Sequence, residues 1–187
     1  GALFIKANVK KDKTGYERNY WIIKDGEKAK QLTFDGKAGF FTVRDNSLYF
    51  LAKRSEEEKK DEGSSFIYAL PLDGGEAYTA FKVDSPISSF DFISDDTLVA
   101  TMGVDKRTEN LSLEEKKKIE KELEGYEDIE ECGFYLNGEG YTDGRRNRLV
   151  YIKNGKCERV FDDDFSLETF TLSPDKSKIL AVGETRK

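Results

Sequence analysis

An internal repeat constrains the fold of this 187-residue chain more than any other feature of its sequence. One recurring unit joins an apolar strand, a glycine turn and a second short strand, as in YWIIKDGEKAKQLTF from Tyr20, IYALPLDGGEAYTAF from Ile67 and LVYIKNGKCERVF from Leu149. A second unit places an Asp-rich turn between two apolar strands, as in FFTVRDNSLYFLA from Phe40, SFDFISDDTLVAT from Ser89 and TFTLSPDKSKILAV from Thr169. Because alternating apolar residues indicate half-buried strands, each repeat is predicted to hold two hairpins.

The spacing of the turn glycines predicts a β-propeller. Gly26 and Gly75 lie 49 residues apart, whereas Gly75 and Gly155 lie 80 apart. Removing an insertion restores a spacing near 50, and four short antiparallel strands in roughly 40 to 50 residues are typical of a propeller blade. We therefore expect an all-β fold of about three to four four-stranded blades. Residues 1–187 would form one partial propeller domain, with a helical insertion at about 104–131.

The repeat also assigns strands to blades. One blade is predicted to run through residues 39–44, 47–53, 66–72 and 76–82, and the next through 88–93, 97–103, 148–153 and 157–161. An earlier blade is expected to supply strands at 2–9, 19–24 and 28–33, and a further blade to start at Glu168. Since a closed propeller takes roughly 4 to 8 blades, these residues are expected to form about half of a ring.

The insertion is predicted to contain one helix over residues 111–126, LSLEEKKKIEKELEGY. Ser112 and Glu115 have the spacing of a capping box, and Gly125 lies where a helix end is expected. A narrow apolar stripe is predicted to dock the helix onto its own blade, and it consists of Ile119, Leu123 and Tyr126.

The absence of histidine from the sequence excludes several mechanisms. Neither a Ser-His-Asp triad nor a zinc site with histidine ligands can form from these residues. No GxSxG motif occurs, and the glycines of YLNGEGYTDGRR match neither a dinucleotide-binding nor a Walker pattern. The run of Asp162, Asp163 and Asp164 lacks the spacing of a metal-binding loop, so it is interpreted as a turn. We therefore expect no catalytic residue, no metal and no cofactor in this chain.

Charge and composition limit the partners. The formal net charge of −6 argues against nucleic acid, because phosphate binding needs a basic surface. Apolar stretches are too short for a membrane span, and no basic, apolar leader is present, so a cytoplasmic location is expected. Met102 is the only methionine and Gln31 the only glutamine, which is typical of a thermophile. Homo-oligomerisation stays open.

Two arginines are the candidate substrate-binding residues. Arg145 and Arg146 could present guanidinium groups to a peptide carboxylate or an acidic partner, although pairing of one of them within its own blade is the alternative interpretation. The two cysteines, Cys132 and Cys157, form no CxxC motif. A disulfide between them stays open, because the sequence cannot place their Cα atoms within bridging distance.

Two stretches resemble the propeller of acylaminoacyl-peptidase-type enzymes, which belong to the prolyl oligopeptidase family of serine peptidases. They are YLNGEGYTDGRRNRLVYI from Tyr135 and FDDDFSLETFTLSPDKSKILAV from Phe161, and LPLDGGEA from Leu70 is similar to the family's blade turn. The DGRR blade with its insertion is the more specific part, whereas SPD and DGGE turns also occur in TolB-like propellers. The family's SPDGK is reduced here to Ser173, Pro174, Asp175 and Lys176.

The resemblance implies a non-catalytic role for this chain. In such enzymes the triad lies in a separate C-terminal α/β-hydrolase domain of the same polypeptide, and the propeller admits short peptide substrates while excluding folded proteins. The implied function is gating and size selection of peptides, and docking to that hydrolase domain. Two alternatives stay open: a stand-alone TolB-like propeller that binds proteins or peptides, and a propeller lyase acting on sugars, which the missing histidine weakens.

Overall fold

The computed structural model describes residues 1–122, 124–125, 135–136, 140–141, 144–159 and 165–185. Contacts within the chain group it into two compact units, Gly1–Leu51 with Tyr68–Tyr78 and Ala52–Ile67 with Thr79–Lys187. The helices of the described residues are α1 (Glu56–Lys60) and α2 (Leu113–Glu122). Their strands are β1 (Ala2–Val9), β2 (Tyr16–Ile23), β3 (Lys30–Gln31), β4 (Phe41–Arg44), β5 (Ser47–Leu51), β6 (Ser65–Pro71), β7 (Tyr78–Val83), β8 (Ser89–Phe92), β9 (Thr97–Asp105), β10 (Tyr135–Leu136), β11 (Gly140–Tyr141), β12 (Arg145–Lys153), β13 (Lys156–Arg159), β14 (Phe165–Leu172) and β15 (Ile179–Thr185).

The strands β4 to β7 form one four-stranded sheet in the order of the sequence, which confirms the predicted pattern of one repeat. β4 and β5 pair antiparallel from Phe41 opposite Phe50 to Arg44 opposite Ser47. Asp45 and Asn46 form the two-residue turn between them, with φ of 48° and 58°. Tight hairpins favour positive φ at both turn positions, and Asp and Asn tolerate that conformation better than most residues.

A second four-stranded sheet has the order β8-β9-β12-β13, so the insertion lies between its second and third strands, as predicted. β12 begins at Arg145, three residues before the predicted start at Arg148, because it pairs with β9 up to Asp105. The connection between β9 and β12 continues past the predicted insertion and contains the short antiparallel pair β10–β11, which the sequence did not predict. Residues 126–134, with Cys132 among them, lie outside the described residues, so a bond between Cys132 and Cys157 stays an open prediction.

Two smaller sheets belong to the repeats that flank these two. β1, β2 and β3 form a three-stranded sheet, and β14 and β15 form a hairpin. The turn of that hairpin contains Lys176, whose φ of 59° is left-handed, at the position where the resemblance leads one to expect glycine. Its Nζ lies 3.4 Å from Oδ2 of Asp91 on β8, so this side chain connects the hairpin to the neighbouring sheet.

Each compact unit has its own buried core. In the first, the buried ring of Tyr20 contacts Phe41 and Phe50, with ring centroids 5.5 and 5.1 Å apart. In the second, Val99, Leu149 and Leu167 form a buried cluster. Partly buried apolar side chains of β14 and β15 pack against that cluster: Phe165, Phe170, Leu172, Ile179 and Ala181. In β5 and β8 every second residue is buried, as the alternation in the sequence predicted, whereas β6 is buried on both faces.

The two helices begin at capping boxes. The backbone N–H of Ser112 donates to Oε2 of Glu115 at 2.8 Å, and the N–H of Glu115 donates to Oγ of Ser112 at 3.3 Å, as predicted. Lys117 on α2 forms an ion pair of 2.7 Å with Glu62, in the connection between β5 and β6. Ile119 is half-buried, while the other members of the predicted stripe, Leu123 and Tyr126, lie outside the described residues.

Candidate functional site

The two candidate arginines are the first two residues of β12, and the strand places their side chains on opposite faces. Arg145 is exposed, whereas Arg146 keeps only 3% of its surface accessible. This difference follows from the two-residue period of a β-strand. Only Arg145 is therefore accessible to a partner in solvent.

Arg146 has a local structural contact. Its Nη1 donates a hydrogen bond of 2.9 Å to the backbone oxygen of Arg145. A buried guanidinium is costly unless its donors find acceptors, and this bond satisfies one of them at the residue that precedes it. The contact joins the Arg146 side chain to the backbone at Arg145.

Asp105 and Arg107 form an ion pair beside Arg145. Asp105 is the register partner of Arg145 across β9 and β12. Arg107 Nε donates to Oδ1 of Asp105 at 3.0 Å and its Nη2 donates to Oδ2 at 2.7 Å, which is the bidentate geometry of a strong guanidinium–carboxylate pair. Burial alone would raise the pKa of Asp105, but the hydrogen bonds from Arg107 and the charges of both arginines hold that pKa below its usual value.

Gly144 has no side chain, and the ion pair of Asp105 and Arg107 occupies the space that a side chain there would fill. A Cβ at Gly144 would lie 3.1 Å from both Nε of Arg107 and Oδ1 of Asp105, and its φ of +66° is left-handed. The backbone oxygen of Gly144 also accepts a hydrogen bond of 2.9 Å from the N–H of Lys106. A larger residue here would strain the backbone and displace the pair, so the glycine of the DGRR stretch has a packing role as well as a turn role.

A second ion pair lies deeper at the same end of β12. Arg148 is 1% exposed, and its Nη2 lies 3.8 Å from Oε2 of Glu109, whose side chain is 13% exposed. Sequence reasoning missed Arg107, Glu109 and Arg148 as members of this region. The two-residue period of β12 could have placed Arg148 on the buried face with Arg146, but Glu109 comes from the irregular part of the insertion, for which the sequence contains no periodic signal.

Ser64 and Ser65, where β6 begins, are both buried. Ser64 and Ser65 are each 8% exposed, and Oγ of Ser65 accepts a hydrogen bond of 2.9 Å from the N–H of Ile87. No group of three or more acidic or cysteine side chains that could hold a metal ion occurs among the described residues. Asp162, Asp163 and Asp164 are outside them.

Within the described part of the chain, no helix has the length and apolar character needed to cross a membrane.

The fold is similar to that of two solved structures. The acylaminoacyl peptidase of Pyrococcus horikoshii matches 98% of this chain with a TM-score of 0.50 and 14% sequence identity. An acylaminoacyl peptidase in complex with Z-Gly-Gly-Phe-chloromethyl ketone also matches 98% of the chain, with a TM-score of 0.51 and 12% identity. This chain spans 24% of the first protein and 30% of the second.

Comparison of the sequence alone finds no similar protein. No family model matches the chain, and no curated protein sequence matches it. The structural match covers nearly the whole chain, and it extends over the repeated antiparallel sheets described above. This chain therefore has the fold of a segment of acylaminoacyl peptidase.

Proposed function

We propose that this chain is a non-catalytic part of the β-propeller of an acylaminoacyl-peptidase-like serine peptidase. Its sheets would be blades of that propeller, and the propeller would admit short peptides to a hydrolase domain in the same polypeptide while excluding folded proteins. The observation that carries the proposal is the structural similarity over 98% of the chain to two acylaminoacyl peptidases.

The residue types of this chain support a non-catalytic role, with catalysis in a separate domain. A serine peptidase needs a general base beside its nucleophile, and this base is usually a histidine. The sequence contains none, and Ser64 and Ser65 are buried in hydrogen-bonded positions. The chain also spans less than a third of each similar protein, so the catalytic groups would come from elsewhere in the polypeptide.

Arg145 is the proposed peptide contact of this chain. It is exposed at the start of β12, and Arg146 supports it through a hydrogen bond to its backbone oxygen. A guanidinium on a fixed strand end can bind the carboxylate or carbonyl oxygens of a peptide. Arg146 is assigned a supporting role rather than a direct contact, because it is buried.

The test is to express the complete open reading frame that encodes this sequence and to compare it with the 187-residue chain. Both proteins are assayed on N-acetylated and free peptide p-nitroanilides. We expect cleavage by the product of the complete frame and none by the chain alone. If the product of the complete frame cleaves no substrate, the proposal fails and a stand-alone peptide- or protein-binding module, such as a TolB-like propeller, takes its place.

A further inference from the structure

The far end of the β1–β2 hairpin is exposed and basic. Every residue from Lys6 to Arg18 is exposed apart from Gly15, which is half-buried. This stretch contains four lysines and one arginine against one aspartate and one glutamate, a net charge of +3. The whole chain carries −6, so the rest of it carries −9. A positive surface on an otherwise acidic chain attracts anionic groups to this one place.

The turn of the hairpin presents three of the lysines. Backbone hydrogen bonds of 2.9 Å at Lys10 and Lys13 close the turn. Asp12, the acidic residue of the turn, accepts hydrogen bonds on Oδ1 from the N–H and the hydroxyl of Thr14, at 3.0 and 2.8 Å. Within the described part of the chain, Lys10, Lys11 and Lys13 form no ion pair. Three positive charges therefore lie within four residues of a hydrogen-bonded turn.

An apolar pair lies beside these lysines on one face of the hairpin. Val9 and Tyr16 are register partners, so their side chains share a face, and they are 62% and 60% exposed. Arg18 lies on the same face, because side chains alternate along a strand. Its N–H donates to the backbone oxygen of Gly36 at 2.9 Å, and its own oxygen accepts a bond of 2.8 Å from Ala38, so the base of this exposed end is fixed.

We propose that the basic hairpin end, residues 9–18, is a docking surface for short acidic peptides that also carry an apolar side chain. The proposal rests on the proposed function, since these peptides are the substrates that the propeller would admit. Acidic side chains of the peptide would pair with the lysines of the turn. Its apolar side chain would pack on Val9 and Tyr16, since an exposed aromatic ring supplies contact area at little cost in conformational entropy.

The charge of the rest of the chain favours a short ligand over a long polyanion. Charges in solution act over about 10 Å at 0.1 M salt. A peptide of a few residues at the turn is therefore attracted by the lysines and is screened from most of the remaining charge of −9. A nucleic acid strand or an anionic membrane extends beyond the hairpin and meets that acidic surface as well. The charge complementarity is local, and it fits a peptide.

The experiment measures binding of hexapeptide amides to the 187-residue chain by fluorescence anisotropy, with a neutral dye at the N-terminus of each peptide. The first peptide is Gly-Glu-Glu-Leu-Glu-Gly, the second has Gln in place of each Glu, and the third has Ser in place of Leu. The turn variant combines Lys10→Gln, Lys11→Gln and Lys13→Gln. Its matched control replaces three exposed lysines around the β2–β3 connection and combines Lys24→Gln, Lys28→Gln and Lys30→Gln.

At about 20 mM NaCl we expect the first peptide to bind about tenfold more tightly than the Gln peptide, and the difference to disappear near about 300 mM because salt screens exposed charges. The turn variant loses this preference, whereas the control variant keeps it. Equal affinity for the Glu and Gln peptides, absence of binding, or an equal loss in both lysine variants overturns the docking surface.

The apolar contact has its own comparison. The first peptide should bind about threefold more tightly than the Ser peptide, and Tyr16→Ser should remove this difference. Tyr78→Ser changes another exposed tyrosine, on β7, and should retain the difference. An equal effect of the two substitutions overturns the contact with Tyr16.

Longer polyanions are titrated in the same way, as an oligothymidylate and as vesicles of phosphatidylcholine and phosphatidylserine in equal parts. We expect both to bind more weakly than the first peptide. Tighter binding of either one that is lost in the turn variant would overturn the peptide assignment in favour of a nucleic acid or a membrane. The preference of the parent chain for Glu over Gln needs no variant, so the test holds even if a substitution impairs folding.

The binding readout separates this inference from the proposed function. If the product of the complete reading frame cleaves peptides but the chain binds the Glu and Gln peptides equally, only the docking surface is wrong. If the chain prefers the Glu peptide but the product of the complete frame cleaves nothing, the peptidase assignment is wrong and the basic hairpin end belongs to a peptide-binding module.

Discussion

Gly26 and Gly155 have almost the same backbone conformation in different surroundings. Their φ angles are +79° and +78°, both in the left-handed region that glycine adopts most readily. Nothing lies within 4 Å of a Cβ built at Gly26, whereas a Cβ at Gly155 would lie 2.7 Å from the backbone oxygen of Lys82. Gly155 also accepts a hydrogen bond of 3.0 Å from the N–H of Asp84, so the β12–β13 turn packs tightly against the end of β7.

Gly155→Ala is therefore expected to reduce the free energy of unfolding by at least about 1 kcal/mol more than Gly26→Ala. Both substitutions place alanine at an unfavourable φ, but only the former forces the backbone of β7 to move. Urea denaturation of the two variants and the parent measures the difference. Equal losses in both variants would mean that this turn does not pack against β7 as described.

The hydroxyl of Tyr20 is a buried group whose ionisation depends on folding. It accepts a hydrogen bond of 3.0 Å from the N–H of Gly39, and burial raises the pKa of Tyr20 to about 12. In the unfolded chain a tyrosine loses its proton near pH 10. Between these pH values the unfolded state binds fewer protons than the folded state, so the stability contribution present below pH 10 is lost as the pH rises toward 12.

This linkage predicts that the free energy of unfolding falls by about 2 to 3 kcal/mol between pH 10 and 12 because of Tyr20 alone. Tyr20→Phe should remove that part of the decrease, although it also removes the hydrogen bond from Gly39 at every pH. Tyr78→Phe, which removes a hydroxyl from a half-exposed ring, is the control. Urea denaturation at intervals of pH tests this, and an unchanged slope in Tyr20→Phe contradicts it.

At the scale of elements, β12 is a strand of the repeat and also carries the candidate residues Arg145 and Arg146. Its pairing with β9 runs without interruption from Arg145 to Lys153, so the residues at its exposed end are fixed by the same ladder that holds the core. Arg148 lies one strand period from Arg146 on the buried face and forms its ion pair with Glu109 of the insertion. The insertion is therefore anchored to its own sheet by a buried charge as well as by the chain connection.

Glu109→Gln is expected to lower the free energy of unfolding by roughly 1 to 3 kcal/mol, because it removes the charge that faces a buried guanidinium. Glu114→Gln makes the same change at an exposed position of α2 and is expected to have little effect. The two variants are compared by their urea denaturation midpoints. Similar midpoints for both variants would show that Glu109 does not stabilise the strand through Arg148.

The regular elements were predictable from the sequence because their signals are local. Alternation predicted the strands, the Asp45–Asn46 and Asn154–Gly155 pairs mark tight turns, and Ser112 with Glu115 marks the start of α2. The site was predictable only in part. The repeat placed Arg145 and Arg146 near a strand, but the approach of Arg107 and Glu109 to that strand depends on how the insertion folds back, and short-range patterns do not encode it.

At the scale of the whole molecule, the chain is interpreted as part of a larger fold. It spans 24% and 30% of the two similar peptidases, and apolar side chains of β15 are accessible, with Leu180 66% and Val182 48% exposed. Repeated sheets cover such surfaces when further sheets pack against them. Under the proposed function, such a larger fold would select substrates by size for a hydrolase domain.

The most direct test of this account is kcat/KM as a function of peptide length, measured for the product of the complete open reading frame. The substrates are N-acetylated peptides with one cleavable bond and lengths from about 3 to 40 residues, together with a folded protein that contains the same site in an exposed loop. The account predicts efficient cleavage of the short peptides, a steep decrease with length and no cleavage of the folded protein. Equal rates for all lengths and for the folded protein would contradict it.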